Sequence, residues 1–148
     1  MIRSRIVKGI VYVSRALVDF PEKELLDLSL FSIRKNGEFS ITGYLCFQQG
    51  RFIQYFEGPE DACNQLISNI DKDERHLINK RLDEEKLEKR RFPDWSMRFV
   101  TDREIVEFDL ENIIADSLMF SSGLPSGDDH MDEALWLLVD SLSRVLKM

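Results

Sequence analysis

The sequence predicts an α+β fold, with elements in the order β-α-β-β-α-β-β forming a ferredoxin-like mixed sheet with an added strand. Three observations predict it. A β-branched and aromatic run at 9–14 opens the chain, two apolar runs at 41–47 and 51–57 flank Gln48-Gln49-Gly50, and helical spacing recurs on either side of that pair. In this order both helices lie on one face of the sheet.

Residues 9–14 read as the first strand. Pro21 then falls in the first turn of a helix, where its missing N–H costs nothing. Leu25, Leu26, Leu28, Phe31 and Ile33 recur through that helix, which should end near Lys35 or Asn36 with Gly37 as its stop. Ile41–Phe47 and Arg51–Glu57 form a hairpin whose turn is supplied by Gly50. Gly58-Pro59-Glu60-Asp61 starts the second helix, with acids beside the positive end of its dipole. Cys63, Leu66, Ile67 and Ile70 mark its apolar face, and it should end near 71–73. A fourth strand fits 77–87 and a fifth 96–101, with Pro93 interrupting pairing between them.

If Tyr12 and Gln54 face the helices, alternation sends Ile10, Phe52 and Phe56 the same way. Val11, Val13, Ile53 and Tyr55 then face the other side, which is too apolar to leave wet. The sequence offers a cover in two amphipathic stretches, 106–119 and 131–146, joined by the linker 121–127. The expected organisation is a domain over 1–100 and a C-terminal helical pair over 101–148, set on the other face of the sheet as a lid and output surface.

Composition narrows the function classes. The 148 residues are 43% apolar, enough for a sizeable core, and no run approaches a membrane span. Cys46 and Cys63 fall in apolar elements and read as packing residues of a reducing cytosol, with no disulfide framework or metal cluster. Residues 101–148 hold eleven acids against three bases, a net of −8 in a chain of −7, which leaves the first hundred residues at +1. An acidic final third argues against direct nucleic-acid binding.

Gln54 carries the most information. It lies 42 residues after Tyr12, 18 after Asn36 and 43 before Met97. Tyr12-x-Ser14, Asn36, Ile41-Thr42-Gly43, Phe52-x-Gln54-x-x-Glu57-Gly58, Asp73-x-Arg75-His76 and Trp95-x-Met97 follow one another over roughly residues 9–100. In order and spacing this set resembles the BLUF family, blue-light photoreceptor domains that bind FAD. Phe56 stands where the family commonly has Leu, and Lys35 occupies a variable position.

The resemblance implies a flavin slot between the two helices, with Leu28, Ile33 and Ile70 as walls. It places Asn36 on the pyrimidine edge, and Asp73 and His76 around the ring and ribityl chain. Arg75 reads better as an ion-pair partner, Lys35 as a candidate for the phosphates, and Ser14 belongs to the same motif as Tyr12. The photoactive residues it implies are Tyr12, Gln54, Trp95 and Met97. A Gln amide offers a donor on one side and an acceptor on the other, so turning it changes what each neighbour receives. In the family, light drives such an exchange and absorption shifts slightly to the red. The resemblance therefore implies a short, cytoplasmic photoreceptor that signals to a separate partner protein and forms a homo-oligomer. Two other classes compete. One is a small flavin-dependent enzyme, against which stands the lack of a Ser/His/Asp or Cys/His arrangement and of a Gly-rich phosphate loop. The other is a flavin-free interaction module, against which stand Tyr12, Asn36 and Gln54 together. The residues beyond the ring do not separate FAD from FMN.

Overall fold

The computed structural model describes residues 6–93, 97–112, 114 and 128–145. Its elements are β1 (Val7–Ala16), α1 (Glu22–Glu38), β2 (Thr42–Gln48), β3 (Arg51–Pro59), α2 (Glu60–Asp71), β4 (His76–Glu84), β5 (Arg98–Val100), α3 (Asp102–Glu107) and α4 (Asp128–Val145). One five-stranded sheet runs β4-β1-β3-β2-β5. β1 pairs antiparallel with β3 and β4, and β2 pairs antiparallel with β3. The expected element order and α+β class are present. The chain divides into two compact units, residues 1–99 and 100–148.

In the first unit, alternation sorts the strands as expected. Ile10, Tyr12, Phe52 and Phe56 join Cys63 and Ile67 of α2 in one buried cluster, with Leu25 and Leu28 of α1 packed against it. Both helices thus lie over the face that carries Tyr12. On the opposite face Val11, Val13, Ile53 and Tyr55 are also buried. There the Tyr44 ring stacks on Tyr55 at 6.1 Å, and Phe92 packs against both.

Two backbone details position the site. Gln49 and Gly50 both have positive φ, 52° and 73°, so β2 and β3 join through a tight turn of the mirror-image type that suits strand twist. Between β1 and β4 the register slips at Val13/Ser14, where Asn79 is the extra residue. The bulge keeps His76 and Ile78 on the Tyr12 face although Arg81, not Lys80, stands opposite Tyr12.

The helix ends depart from expectation. α1 runs through Gly37 to Glu38. The carbonyl of Asn36 accepts the N–H groups of both Phe39 and Ile41, so the chain turns only at Ser40, with φ 58°. Ser40, not Gly37, takes the left-handed conformation. The helix expected from 106 instead starts at Asp102, where Thr101 and Glu104 form a reciprocal capping box. It ends at Glu107, since Asp109 adopts φ 56° and Leu110 turns inward. Within the expected span the chain is helical again at 111, 112 and 114, while residues 113 and 115–119 and the linker at 121–127 lie outside the described residues. α4 begins at Asp128, and buries Leu135, Leu138, Val139 and Leu142 as one helical stripe.

Candidate functional site: a cleft under two helices

A cavity of about 340 Å³ opens between α1, α2 and the sheet, within the size range of small-molecule sites. α1 lines it with Leu28, Phe31, Ser32, Lys35 and Asn36, positions that recur every three or four residues and so share one face. α2 and its exit contribute Leu66, Asn69, Ile70 and Asp73 at the same spacing. The floor comes from Tyr12, Leu45, Phe52 and Gln54, with Phe20, Arg75 and His76 at one side.

Tyr12 and Gln54 stand directly opposite each other on β1 and β3. The Tyr12 hydroxyl donates to Gln54 Oε1 at 2.5 Å. Gln54 Nε2 points to the sulfur of Met97 at 3.5 Å, a weak acceptor. Burial pushes the Tyr12 phenol well above its usual pKa, and the negative charge of Asp73 pushes the same way. Tyr12 is therefore a neutral donor across the physiological range.

Asp73 and Arg75 form a bidentate pair, with Arg75 Nη2 2.6 Å from Asp73 Oδ2 and Nε 3.0 Å from Oδ1. The guanidinium holds the Asp73 carboxyl down at about 2. Arg75 also sits over the Phe20 ring at 5.6 Å. His76 is held at both nitrogens. Nε2 is 2.8 Å from the carbonyl of Ile70, which can only accept, so Nε2 carries the proton. In the neutral ring Nδ1 then accepts from Ser14 Oγ, at 2.7 Å. His76 thereby ties β1 to the end of α2 and presents its ring edge to Tyr12, 6.1 Å away.

Of the expected site residues, Tyr12, Leu28, Lys35, Asn36, Gln54, Ile70, Asp73, Arg75 and His76 line the cavity. Ser14 does not; it is buried behind the wall and acts on His76. Ile33 is a correction. It is 41% exposed and lies off the stripe through Leu28 and Ser32, so Phe31 and Ser32 take the wall position assigned to it. Met97 is buried behind Gln54, and Trp95 lies outside the described residues. Phe20, Leu45, Phe52, Leu66 and Asn69 were missed. Continuing the two helical stripes and the strand alternation from Asn36, Ile70 and Gln54 finds all but Phe20.

The donor set suits a flat, mostly apolar ligand with polar edges. Leucine, isoleucine and phenylalanine side chains form the walls. Asn36 is buried at the wall, and among the described residues no protein group bonds its side-chain amide. Among the described residues no group of three or more His, Cys, Asp or Glu side chains could hold a metal, and no helix is long and apolar enough to cross a membrane.

Comparison with known families identifies the family of the chain. Residues 7–98 match the family model described as "Sensors of blue-light using FAD". The chain belongs to the BLUF family. Among solved structures, the dark state of the BLUF protein BlrB superposes with a TM-score of 0.72 at 29% identity, covering 95% of this chain and 97% of that one. A bacterial light-regulated adenylyl cyclase matches at 25% identity and a TM-score of 0.66, covering 92% of this chain and 40% of the other. The photoactivated adenylate cyclase subunit beta of Euglena longa is 29% identical over 100 residues, 67% of this chain. That match spans only 12% of the cyclase subunit's length. Residues 7–98 are thus a flavin-based blue-light sensing domain.

Proposed function

We propose that the cleft binds FAD and that light is registered as a change in the hydrogen-bond frame of Tyr12 and Gln54. A bound flavin supplies the blue-light absorption and an excited state that draws an electron. The chain's own residues supply a movable proton and a reversible frame. The Tyr12 proton already points along a short bond to Gln54 Oε1. Turning the amide would bring Nε2 to Tyr12, whose oxygen can accept, and Oε1 to the Met97 side. The single observation that carries this reading is the Tyr12–Gln54–Met97 chain of contacts at the cavity floor.

Asn36, Leu28, Phe31, Leu66 and Ile70 would hold the ring system, and Asp73, Lys35 and Arg75 would meet the more polar remainder of the ligand. His76 and Ser14 would act by positioning. Met97 would pass the state of Gln54 into β5, and Trp95 would share that task. The C-terminal unit, residues 101–148, would serve as output surface to a protein partner in the cytoplasm, and the domain would do no chemistry of its own.

The test is the visible spectrum of the purified protein in darkness and directly after blue light. A yellow protein whose absorption moves slightly to the red and recovers in the dark is the expected result. A protein that stays colourless with FAD supplied would overturn the proposal. Mass spectrometry of the released cofactor separates FAD from FMN.

A further inference from the structure

α1 has a second face. Lys23, Leu26, Leu30, Ile33 and Gly37 follow one another at spacings of 3, 4, 3 and 4, the spacing of a coiled-coil seam. Leu26, Leu30 and Ile33 are 58%, 52% and 41% exposed, so three successive turns present an apolar side chain outward. Single exposed leucines are ordinary, but a continuous seam along one helix is a contact surface. None of these residues lines the cavity.

The charges beside the seam select its occupant. Asp27 and Arg34 take the same position in successive heptads, three residues before Leu30 and four after it. Both are exposed. If a second copy of α1 lies antiparallel across the seam with Leu30 near the twofold axis, each Asp27 meets the other copy's Arg34. The pairing is satisfied twice by one operation. A parallel arrangement would instead set Glu22 against Asp27, carboxylate beside carboxylate.

We infer that the outer face of α1 is a self-association surface that takes the same face of a second copy of this chain, antiparallel about Leu30. α1 has 17 residues, so the contact is small and the dimer weak, on the order of micromolar. The inference is independent of what fills the cavity.

Sedimentation velocity of the full chain over a concentration series tests it. Asp27→Arg and Arg34→Asp each set like charges opposite one another and should each weaken the dimer about tenfold or more. An equimolar mixture of the two variants restores opposite charges at both contacts and should regain the native affinity. Leu30→Glu should abolish association while leaving the helical circular dichroism unchanged. A chain that stays monomeric at every concentration would overturn the inference, as when a segment of the same chain covers the seam. So would a dimer that neither charge reversal weakens, as in pairing through a sheet edge.

Discussion

The two faces of the β1–β3 ladder each bury a tyrosine that donates to a side-chain oxygen, and the two acceptors are held to different degrees. On the outer face the Tyr55 hydroxyl donates to Glu57 Oε1 at 2.7 Å. Glu57 also accepts the backbone N–H groups of Arg91 and Phe92, at 3.0 and 2.9 Å. Arg91 closes the network by donating to the Tyr55 oxygen at 3.1 Å and to Glu84 at 2.9 Å. Every group there has a strong partner, and acceptors and donors cannot be exchanged without loss. On the cavity face Tyr12 donates to Gln54, but among the described residues the far end of the amide meets a thioether, a weak acceptor. An amide offers a donor at one end and an acceptor at the other, so it can turn and still bond the tyrosine oxygen. A carboxylate with three donors has no such alternative. The structural clamp and the proposed switch differ in how completely the acceptor is satisfied.

The largest effect should come from breaking the clamp. Glu57→Leu removes a fully buried acceptor and strands the Tyr55 hydroxyl and two backbone N–H groups. The expected loss is about 3–5 kcal/mol, enough to threaten folding of a small domain. Glu57→Gln keeps an acceptor and should cost about 1–2 kcal/mol. Urea denaturation of both variants measures the difference, and equal losses would mean the acceptor geometry matters little.

Breaking the switch should cost less stability and all of the response. Gln54→Leu leaves one buried hydroxyl, that of Tyr12, without its acceptor, a loss of about 1–2 kcal/mol. Tyr12→Phe is milder still. Both should keep flavin yet show no red shift under blue light, and a shift that persists in both would refute the assigned frame. Tyr55→Phe provides the contrast, because it should reduce stability while leaving the shift intact.

Met97→Leu changes only the weak end of the amide. The volumes are close, so stability should move by less than about 1.5 kcal/mol. The dark recovery rate should change, because the two orientations of Gln54 present different atoms to the side chain at 97. A recovery rate identical to the native protein's would place the gate elsewhere.

The switch face was far more legible in the sequence than the clamp. Tyr12 and Gln54 sit in strands whose alternation assigns their side, and their spacing matches a known family. The cavity walls follow from helical periodicity once one residue per helix is known. Ile33 was misplaced because apolar character was followed instead of the stripe through Leu28, Ser32 and Asn36. On α1 the two differ, since its outward seam is apolar as well. Gly37 does not stop the helix although a glycine signals freedom, because the turn is set by the Asn36 carbonyl capturing the N–H of Ile41, four residues beyond Gly37. The clamp was not legible at all. Glu57 reads as one residue of a motif, and its partners at 91 and 92 arrive through the irregular segment after β4, which no periodicity describes. The capping box at Thr101 and Glu104, by contrast, has a sequence signature, S/T-x-x-E, that marks the helix start ahead of the apolar residues that follow.

The smallest expected effect concerns Asp73 and Arg75, whose charges are paired as well as those of the clamp but stand in water. Their side chains are 32% and 51% exposed, so the pair should contribute less than about 1 kcal/mol. The sign is fixed by the direction of the shift. The folded carboxyl titrates at about 2 against an ordinary 3.8, so the contribution is present above pH 4 and disappears as pH falls toward 2. The stability gap between the native protein and Asp73→Asn should therefore close over that window, measured by denaturation at a series of acid pH values. A gap that does not change with pH would show that the charged form of Asp73 adds nothing to stability. The same variant removes one of the two influences that keep Tyr12 protonated. Burial is the larger and remains, so the dark-state hydrogen bond to Gln54 should survive.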